Sequence, residues 1–405
     1  MNIREKLKEL GQEQLLKFEK DLTKEELSIL EKQLETIDFS YLDELNKKAE
    51  PDIREVSPIK AMTRKEIEER KLEFKKVGLD ALRKGDVGLL LVAGGMGTRL
   101  GSDHPKGVYN IGKTKDVFIF QRLFENALEV VKECGRMMPF FIMTSEKNDE
   151  ETKAFLEEKN YFGYDKNYIR FFVQEMAPCV DFNGKVLLEE KGRVASSPNG
   201  NGGMFKSLLK NKEAYKLLQS SGVKWLNIFA VDNVLQKVGD PVFVGATIKG
   251  QYQVGAKVIR KANPYEKVGV ICKRGGSPSV IEYVDLTEDM ATAVDEQGER
   301  LYNFGVIFNY LYDIDLLYKI KDEKLPLHIV TKKVSFVNDE GELVKPQEPN
   351  AHKFEYLNVD LVEFASSVLP FEVIREEEFA PIKNKEGVDS VESAQKLLEL
   401  NGYIL

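Results

Sequence analysis

Five short stretches, "VGLLLVA" (87–93), "PFFIMTS" (139–145), "IRFFV" (169–173), "WLNIFAVDN" (225–233) and "VGAKVI" (254–259), are apolar almost throughout instead of at alternate positions. A strand that is apolar on both sides has to be covered on both faces, because one row of its side chains would otherwise meet water. Helical patterns fall between these runs, over Ile119 to Cys134 and Gly203 to Ser220. Doubly buried strands separated by helices predict an α/β core, a central, mostly parallel, doubly wound sheet.

The flanks read differently. From Asn2 to about Glu50, leucines recur at threes, fours and fives among Lys and Glu, the pattern of amphipathic helix. Thr23 with Glu26, and Thr63 with Glu66, have capping-box spacing; the second box starts a helix that ends near Gly85, and a looser join spans Pro51 to Pro58. Residues 265–345 are richer in strand patterns, with a helical stretch near Asn309 to Lys321. The tail has a short apolar run, Phe371 to Ile374, and a terminal helix from Ser390 to about Leu400. With 405 residues the chain is too long for one ordinary core. The expected division is an N-terminal helical segment (1–85), the α/β domain (86–345) and a small mixed C-terminal domain (346–405).

A net charge of -8 argues against a nucleic-acid-binding surface spread over the whole molecule. No apolar run approaches the roughly 20 residues a membrane span needs, and the start "MNIREKLKEL" is charged, unlike a signal sequence. Cys134, Cys179 and Cys272 lie far apart with no CxxC pair, which predicts neither disulfide nor zinc and fits a cytoplasmic protein. The sequence does not specify an oligomeric state.

The first apolar run flows into "LVAGGMGTRLGSDHPKG" (91–107). In an open α/β sheet that loop lies at the carboxyl end of a strand, where ligands bind, and glycines let bare backbone amides approach a phosphate or a base edge. The alternative is a tight turn that needs glycine for geometry alone. No GxxxxGK[ST] string occurs, and Gly95, Gly97 and Gly101 are spaced one residue too long for the dinucleotide fingerprint. That spacing disfavours a nicotinamide-dependent oxidoreductase. Arg99 and Lys106 could instead clamp a polyphosphate through charge-assisted hydrogen bonds.

The loop resembles the signature of uridylyltransferases that make UDP-sugars, and the wider match is to the UDP-N-acetylhexosamine pyrophosphorylase family. The resemblance continues in order through "FFVQEMAP", "SSPNGNGG", "FAVDN", "NPYEKVGV", "KPQEPN" and "REEEFAPIKN", covering about residues 87 to 385. It implies a nucleotidyltransferase fold and the reaction of UTP with a sugar 1-phosphate, assisted by Mg²⁺, to give a UDP-sugar and pyrophosphate. It further implies that Ala93, Gly94, Gly95, Gln174 and Gly200 face the uridine and phosphates and that Arg99, Lys106 and Lys383 neutralise the reacting phosphates. Asp232 would hold the metal, and Asn201, Gly269, Glu282 and Asn303 the sugar. Each has a plainer alternative: Asp232 as an N-cap, Glu282 as a cross-strand partner, Gln174 as a solvent-facing strand end, and His104 as an exposed loop residue.

Departures from the family pattern lie around the sugar. Val306 stands where asparagine is usual, and Leu357 and Val359 where phenylalanines are usual; Asn199 stands where aspartate is usual, a departure that touches no assigned ligand role. N-acetylglucosamine 1-phosphate is the first expectation, glucose or galactose 1-phosphate the nearest rival, and a non-catalytic UDP-sugar binder the rival of another class.

Overall fold

The computed structural model describes residues 2–45, 47 and 52–405. Two compact units each combine three stretches of chain. The larger is built from Ile53–Val173, Met204–Lys324 and Val359–Leu405, the smaller from Met1–Asp52, Gln174–Gly203 and Leu325–Asn358. The boundaries expected at 85/86 and 345/346 follow chain order, whereas the chain leaves the larger unit and re-enters it twice. Of the helix expected up to Glu50 and the join from Pro51, residues 46 and 48–51 lie outside the described residues.

The larger unit holds one ten-stranded sheet. Its strands are β1 (Val56–Pro58), β2 (Val87–Val92), β3 (Phe140–Thr144), β4 (Ile169–Val173), β5 (Trp225–Ala230), β6 (Val254–Arg260), β7 (Val270–Arg274), β8 (Ser277–Ile281), β9 (Phe304–Asp313) and β10 (Val368–Glu372). The main path runs β1-β7-β9-β5-β2-β3-β4, with β6 pairing β9 and β10, and β8 pairing β7. β5, β2, β3 and β4 are parallel neighbours, and β9 runs antiparallel to β5. All five apolar runs are strands of this sheet.

Both faces are covered, as continuous apolarity requires. Leu89, Leu91, Phe140 and Ile142 join the core of helices α1 (Arg64–Lys84), α2 (Ile119–Cys134) and α6 (Pro241–Lys249). The alternate residues Leu90, Phe141 and Met143 are equally buried on the other face. There α4 (Met204–Lys210) and α5 (Lys212–Ser221) pack against β4. Both expected capping boxes form, and α1 stops at Gly85 in the left-handed conformation.

Two expected helices differ. The stretch from Gly203 to Ser220 is two helices, because the Asn211 side chain accepts from the Ala214 N–H and starts a new one. The helix expected from Asn309 begins only at Ile314, since β9 pairs with both β5 and β6 up to Tyr312.

Helices α1 and α6 cross at backbone contact. A Cβ on Gly78 would lie 1.8 Å from the Pro241 carbonyl oxygen, and one on Gly245 would lie 1.8 Å from the Phe74 carbonyl oxygen. Gly245→Ala should therefore lower unfolding free energy by about 2 kcal/mol, overpacking outweighing the roughly 1 kcal/mol gained in helix propensity. A urea midpoint equal to wild type would contradict this crossing.

In the smaller unit the N-terminal helices find their cover within the chain. Leu7, Leu15, Leu30 and Leu34 form one core with Val180, Val186, Val194 and Phe354. Buried Gln12 ties them down, donating to the Gly184 carbonyl at 2.8 Å and accepting from the Val186 N–H at 2.9 Å. Three antiparallel strands, His328–Lys332, Ala351–Glu355 and Val180–Asp181, complete the unit.

Candidate active site

The glycine loop starts where β2 ends and is fixed from below by a residue that the sequence reading missed. Fully buried Asn148 donates to the carbonyls of Ala93 at 2.9 Å and Gly95 at 3.3 Å, while its oxygen accepts from the Ser145 N–H at 2.8 Å. Asn148 precedes helix α3 (Asp149–Glu158). An asparagine just before a helix, after the second strand, was the available signal. The loop then folds on itself. Gly97 N–H donates to the His104 carbonyl at 2.8 Å, and Lys106 N–H returns to the Gly95 carbonyl at 3.1 Å. Gly95 is exposed, and a Cβ there would meet nothing within 4 Å, so its outer side is open. His104 pairs with Glu151 at 2.6 Å on the exposed side, in keeping with its plainer alternative.

Four predicted residues share one electrostatic neighbourhood. Burial lowers the pKa of Lys106 below 10.5, Asp232 pulls it back up, and Arg99 and Lys383 push it down further. Lys106 thus feels two other cations and the carboxylate of Asp232. Lys106 is the desolvated member, since Arg99 is exposed, and neighbouring cations raise the cost of its charge in a way that an arriving anion would relieve.

Lys383 reaches this place from far along the chain by specific stitching. Ile382 N–H donates to the Asp232 carbonyl at 2.8 Å. Next door, buried Asn233 donates to the Glu378 carbonyl at 2.7 Å and accepts from the Ala380 N–H at 2.9 Å. The Lys383 ammonium itself stands 3.4 Å from Asp389.

Beneath this seam lies Lys257, fully buried, with its ammonium 2.6 Å from Glu378, 2.9 Å from Asp240 and 3.1 Å from the Lys237 carbonyl. Burial opposes its charge, but the two carboxylates outweigh burial and hold its pKa above the ordinary value. For Asp240, burial is likewise opposed and outweighed by Lys257, so its pKa is lowered. A lysine inside the apolar run "VGAKVI" was the sequence signal for a buried partner.

A second group gathers around Gly269. A Cβ there would lie 3.1 Å from a Val280 methyl and 3.5 Å from both a Glu282 carboxylate oxygen and a Val306 methyl, and Val306 N–H donates to the Gly269 carbonyl at 2.9 Å. Glu282 therefore sits against Gly269. Asn303 is buried, and its side-chain oxygen has no hydrogen-bond partner among the described residues. Asn309, in contrast, is absorbed by the sheet, accepting from Asn227 at 2.8 Å and donating to the Lys237 carbonyl at 3.2 Å.

The remaining three predicted residues belong to the smaller unit. Gly200 has φ +84°, and a Cβ on it would lie 2.2 Å from the Tyr356 carbonyl oxygen, so packing alone demands glycine there. The Asn201 side-chain oxygen accepts from the Asn358 N–H at 2.8 Å and from its amide at 3.1 Å. Gln174 is buried, not solvent-facing as its plainer alternative would have it; its neighbour Glu175 accepts from the Asn199 N–H at 3.1 Å. Asn199 itself donates to the Tyr41 hydroxyl at 3.3 Å.

Among the described residues no three His, Cys, Asp or Glu side chains gather as a metal cage. None of the described helices is long and apolar enough to cross a membrane.

A family model described as UTP–glucose-1-phosphate uridylyltransferase matches residues 33–401. The chain is 35% identical over 416 residues to the human UDP-N-acetylhexosamine pyrophosphorylase-like protein 1, covering 96% of this chain and 81% of that protein. It is 37% identical over 325 residues to the UDP-N-acetylglucosamine pyrophosphorylase of Saccharomyces cerevisiae, covering 78% and 68% respectively. Its fold is similar to the crystal structure of the uridine diphosphate N-acetylglucosamine pyrophosphorylase from Trypanosoma brucei, with TM-score 0.82 and 27% identity over 98% of this chain and 84% of that one.

Proposed function

The chain belongs to the UTP–glucose-1-phosphate uridylyltransferase family, and on that footing we propose that it joins UTP to N-acetylglucosamine 1-phosphate, releasing pyrophosphate. The observation that carries this reading is that Arg99, Lys383 and the carboxylate of Asp232 all act on the partly buried Lys106 ammonium, in the chain that continues the open glycine loop. The choice of sugar rests on the names of the relatives.

A phosphate oxygen of the sugar attacks the α-phosphorus of UTP in line, and the bond to the β-phosphate oxygen breaks. The nucleophile is already an anion at neutral pH, so no general base is required. What the protein has to supply is position and charge neutralisation. Lys106 and Arg99 hold the triphosphate and the departing pyrophosphate, and Lys383 meets the phosphates from the opposite end of the sequence. The backbone of Ala93, Gly94 and Gly95 approaches the nucleotide. Gly269, Glu282 and Asn303 hold the sugar hydroxyls and acetamido group.

Asp232 is the residue that would hold Mg²⁺. A lone carboxylate fits that ion, which usually binds through one or two carboxylates, with phosphate oxygens and waters completing its shell. When bound, Mg²⁺ would neutralise charge on the α-phosphate. Asp232→Ala should cut turnover by about a hundredfold and raise the Mg²⁺ concentration needed for half-maximal rate. A normal Mg²⁺ titration in the variant would remove Asp232 from this role. Three free, buried cysteines suit a cytoplasmic setting.

The direct test incubates the protein with UTP, Mg²⁺ and, in turn, N-acetylglucosamine, N-acetylgalactosamine, glucose and galactose 1-phosphates, recording pyrophosphate. The highest kcat/KM should belong to N-acetylglucosamine 1-phosphate. Fastest turnover of glucose 1-phosphate would shift the substrate assignment, and silence with all four would refute the activity.

A further inference from the structure

Strand β9 contains an irregularity whose effect lies outside the residues assigned so far. In its pairing with β6, Tyr310 faces Ala256 and Val306 faces Val258, so four residues of β9 advance while β6 advances two. The slack is taken up around Phe308, which holds φ +51°, a left-handed conformation that non-glycine residues adopt only under constraint. As a result Val306 and Tyr310 sit at neighbouring pair positions on one face of the sheet, roughly 7 Å apart along β6. The opposite face carries Lys257 and its ion pairs.

Val306 is the residue whose methyl group closes on Gly269 beside Glu282. Tyr310 is 1% exposed, and its hydroxyl has no hydrogen-bond partner among the described residues. A buried hydroxyl without a partner is costly, and native proteins retain such groups where a ligand or ordered water completes them. Burial, and then the negative charge of Glu282, push its pKa up, so the hydroxyl stays protonated and can both donate and accept.

We infer that the Tyr310 hydroxyl is a specificity-determining contact that hydrogen-bonds a polar group of the hexose ring seated against Gly269, Glu282 and Val306. The inference rests on the sugar-nucleotide reading of this site. It makes the register slip functional, because a regular strand would hold Val306 and Tyr310 four positions, about twice the distance, apart.

Tyr310→Phe removes only the oxygen. Thermal melting of the unliganded variant should match or exceed wild type, because an unpartnered buried group has been deleted. With UTP saturating, the KM for N-acetylglucosamine 1-phosphate should rise several-fold, up to about tenfold, while the KM for UTP stays within twofold. An unchanged sugar KM, or a fall in melting temperature marking an internal bond, overturns the inference. Should the wild type lack turnover with every sugar 1-phosphate, the proposed activity fails, and calorimetric titration with UDP-N-acetylglucosamine decides in its place. Weaker binding by Tyr310→Phe then supports the contact; equal binding, or none by wild type, overturns it.

Discussion

Lys106→Ala is expected to lower turnover by about a hundredfold or more, the usual consequence of removing one group that meets developing charge, without lowering the melting temperature. The second half follows from the direction of its pKa. Burial, with Arg99 and Lys383 nearby, disfavours the charged ammonium despite Asp232. Below the depressed folded value the unliganded protein therefore bears the cost of holding that charge, and the cost is relieved as pH rises through the folded value towards 10.5. Alanine removes the cost altogether.

A polyphosphate reverses the sign, because it favours the ammonium and raises its pKa. UTP affinity should consequently be flat around neutrality and fall as pH rises through the lowered pKa of Lys106, with proton uptake on binding in that window. Lys106→Arg should move the fall to higher pH, since a guanidinium stays charged there. Unchanged turnover in Lys106→Ala, or an alkaline limb identical in Lys106→Arg, would take this residue out of the site.

Lys257→Met should be the most destabilising single change, about 3–5 kcal/mol by urea denaturation at neutral pH. It strands two carboxylates, Asp240 and Glu378, in a dry seam. The wild-type triad has a defined pH signature. Asp240, with a lowered folded pKa, contributes stability that is present above 3.8 and is lost as pH falls through its folded value. Lys257, with a raised folded pKa, contributes stability that is complete below 10.5 and is lost as pH rises through its folded value.

In the methionine variant the sign at the acid end reverses. With Lys257 gone, burial of Asp240 pushes its pKa up instead of down, so the penalty should shrink as pH falls and this carboxylate takes up a proton. A penalty under about 1 kcal/mol at pH 7 would mean that water reaches the seam. Because Glu378 and Asn233 align the chain that delivers Lys383, turnover should fall as well, even at temperatures where the variant is folded.

The sheet was legible because its signal is local. Each strand buried on both faces had to be apolar at successive positions, and the runs at 87–93, 139–145, 169–173, 225–233 and 254–259 all became strands. The capping boxes at Thr23 and Thr63 were legible for the same reason. What the letters hid was interleaving. Residues 174–203 and 325–358 leave the larger unit to meet the N-terminal helices, and no change in composition marks those crossings.

At the candidate site, residue types at strand ends pointed to Arg99, Lys106 and Asp232, whereas the one local mark of Asn148, which pins the loop from beneath, was its place just before a helix. Lys383 was placed through the family resemblance alone, and its delivery depends on hydrogen bonds from residues well over a hundred positions away. Gly200 shows the opposite case. Its glycine invites a ligand explanation, while the Tyr356 carbonyl already excludes any side chain.

The central claim is that Arg99, Lys106 and Lys383 form a site for the triphosphate of a uridine nucleotide. Calorimetric titration with UTP in the presence of Mg²⁺, run side by side on wild type and Lys106→Ala, tests it most directly. One UTP should bind per wild-type chain, with affinity reduced about tenfold or more in the variant. No binding by wild type, or equal binding by both, would contradict it.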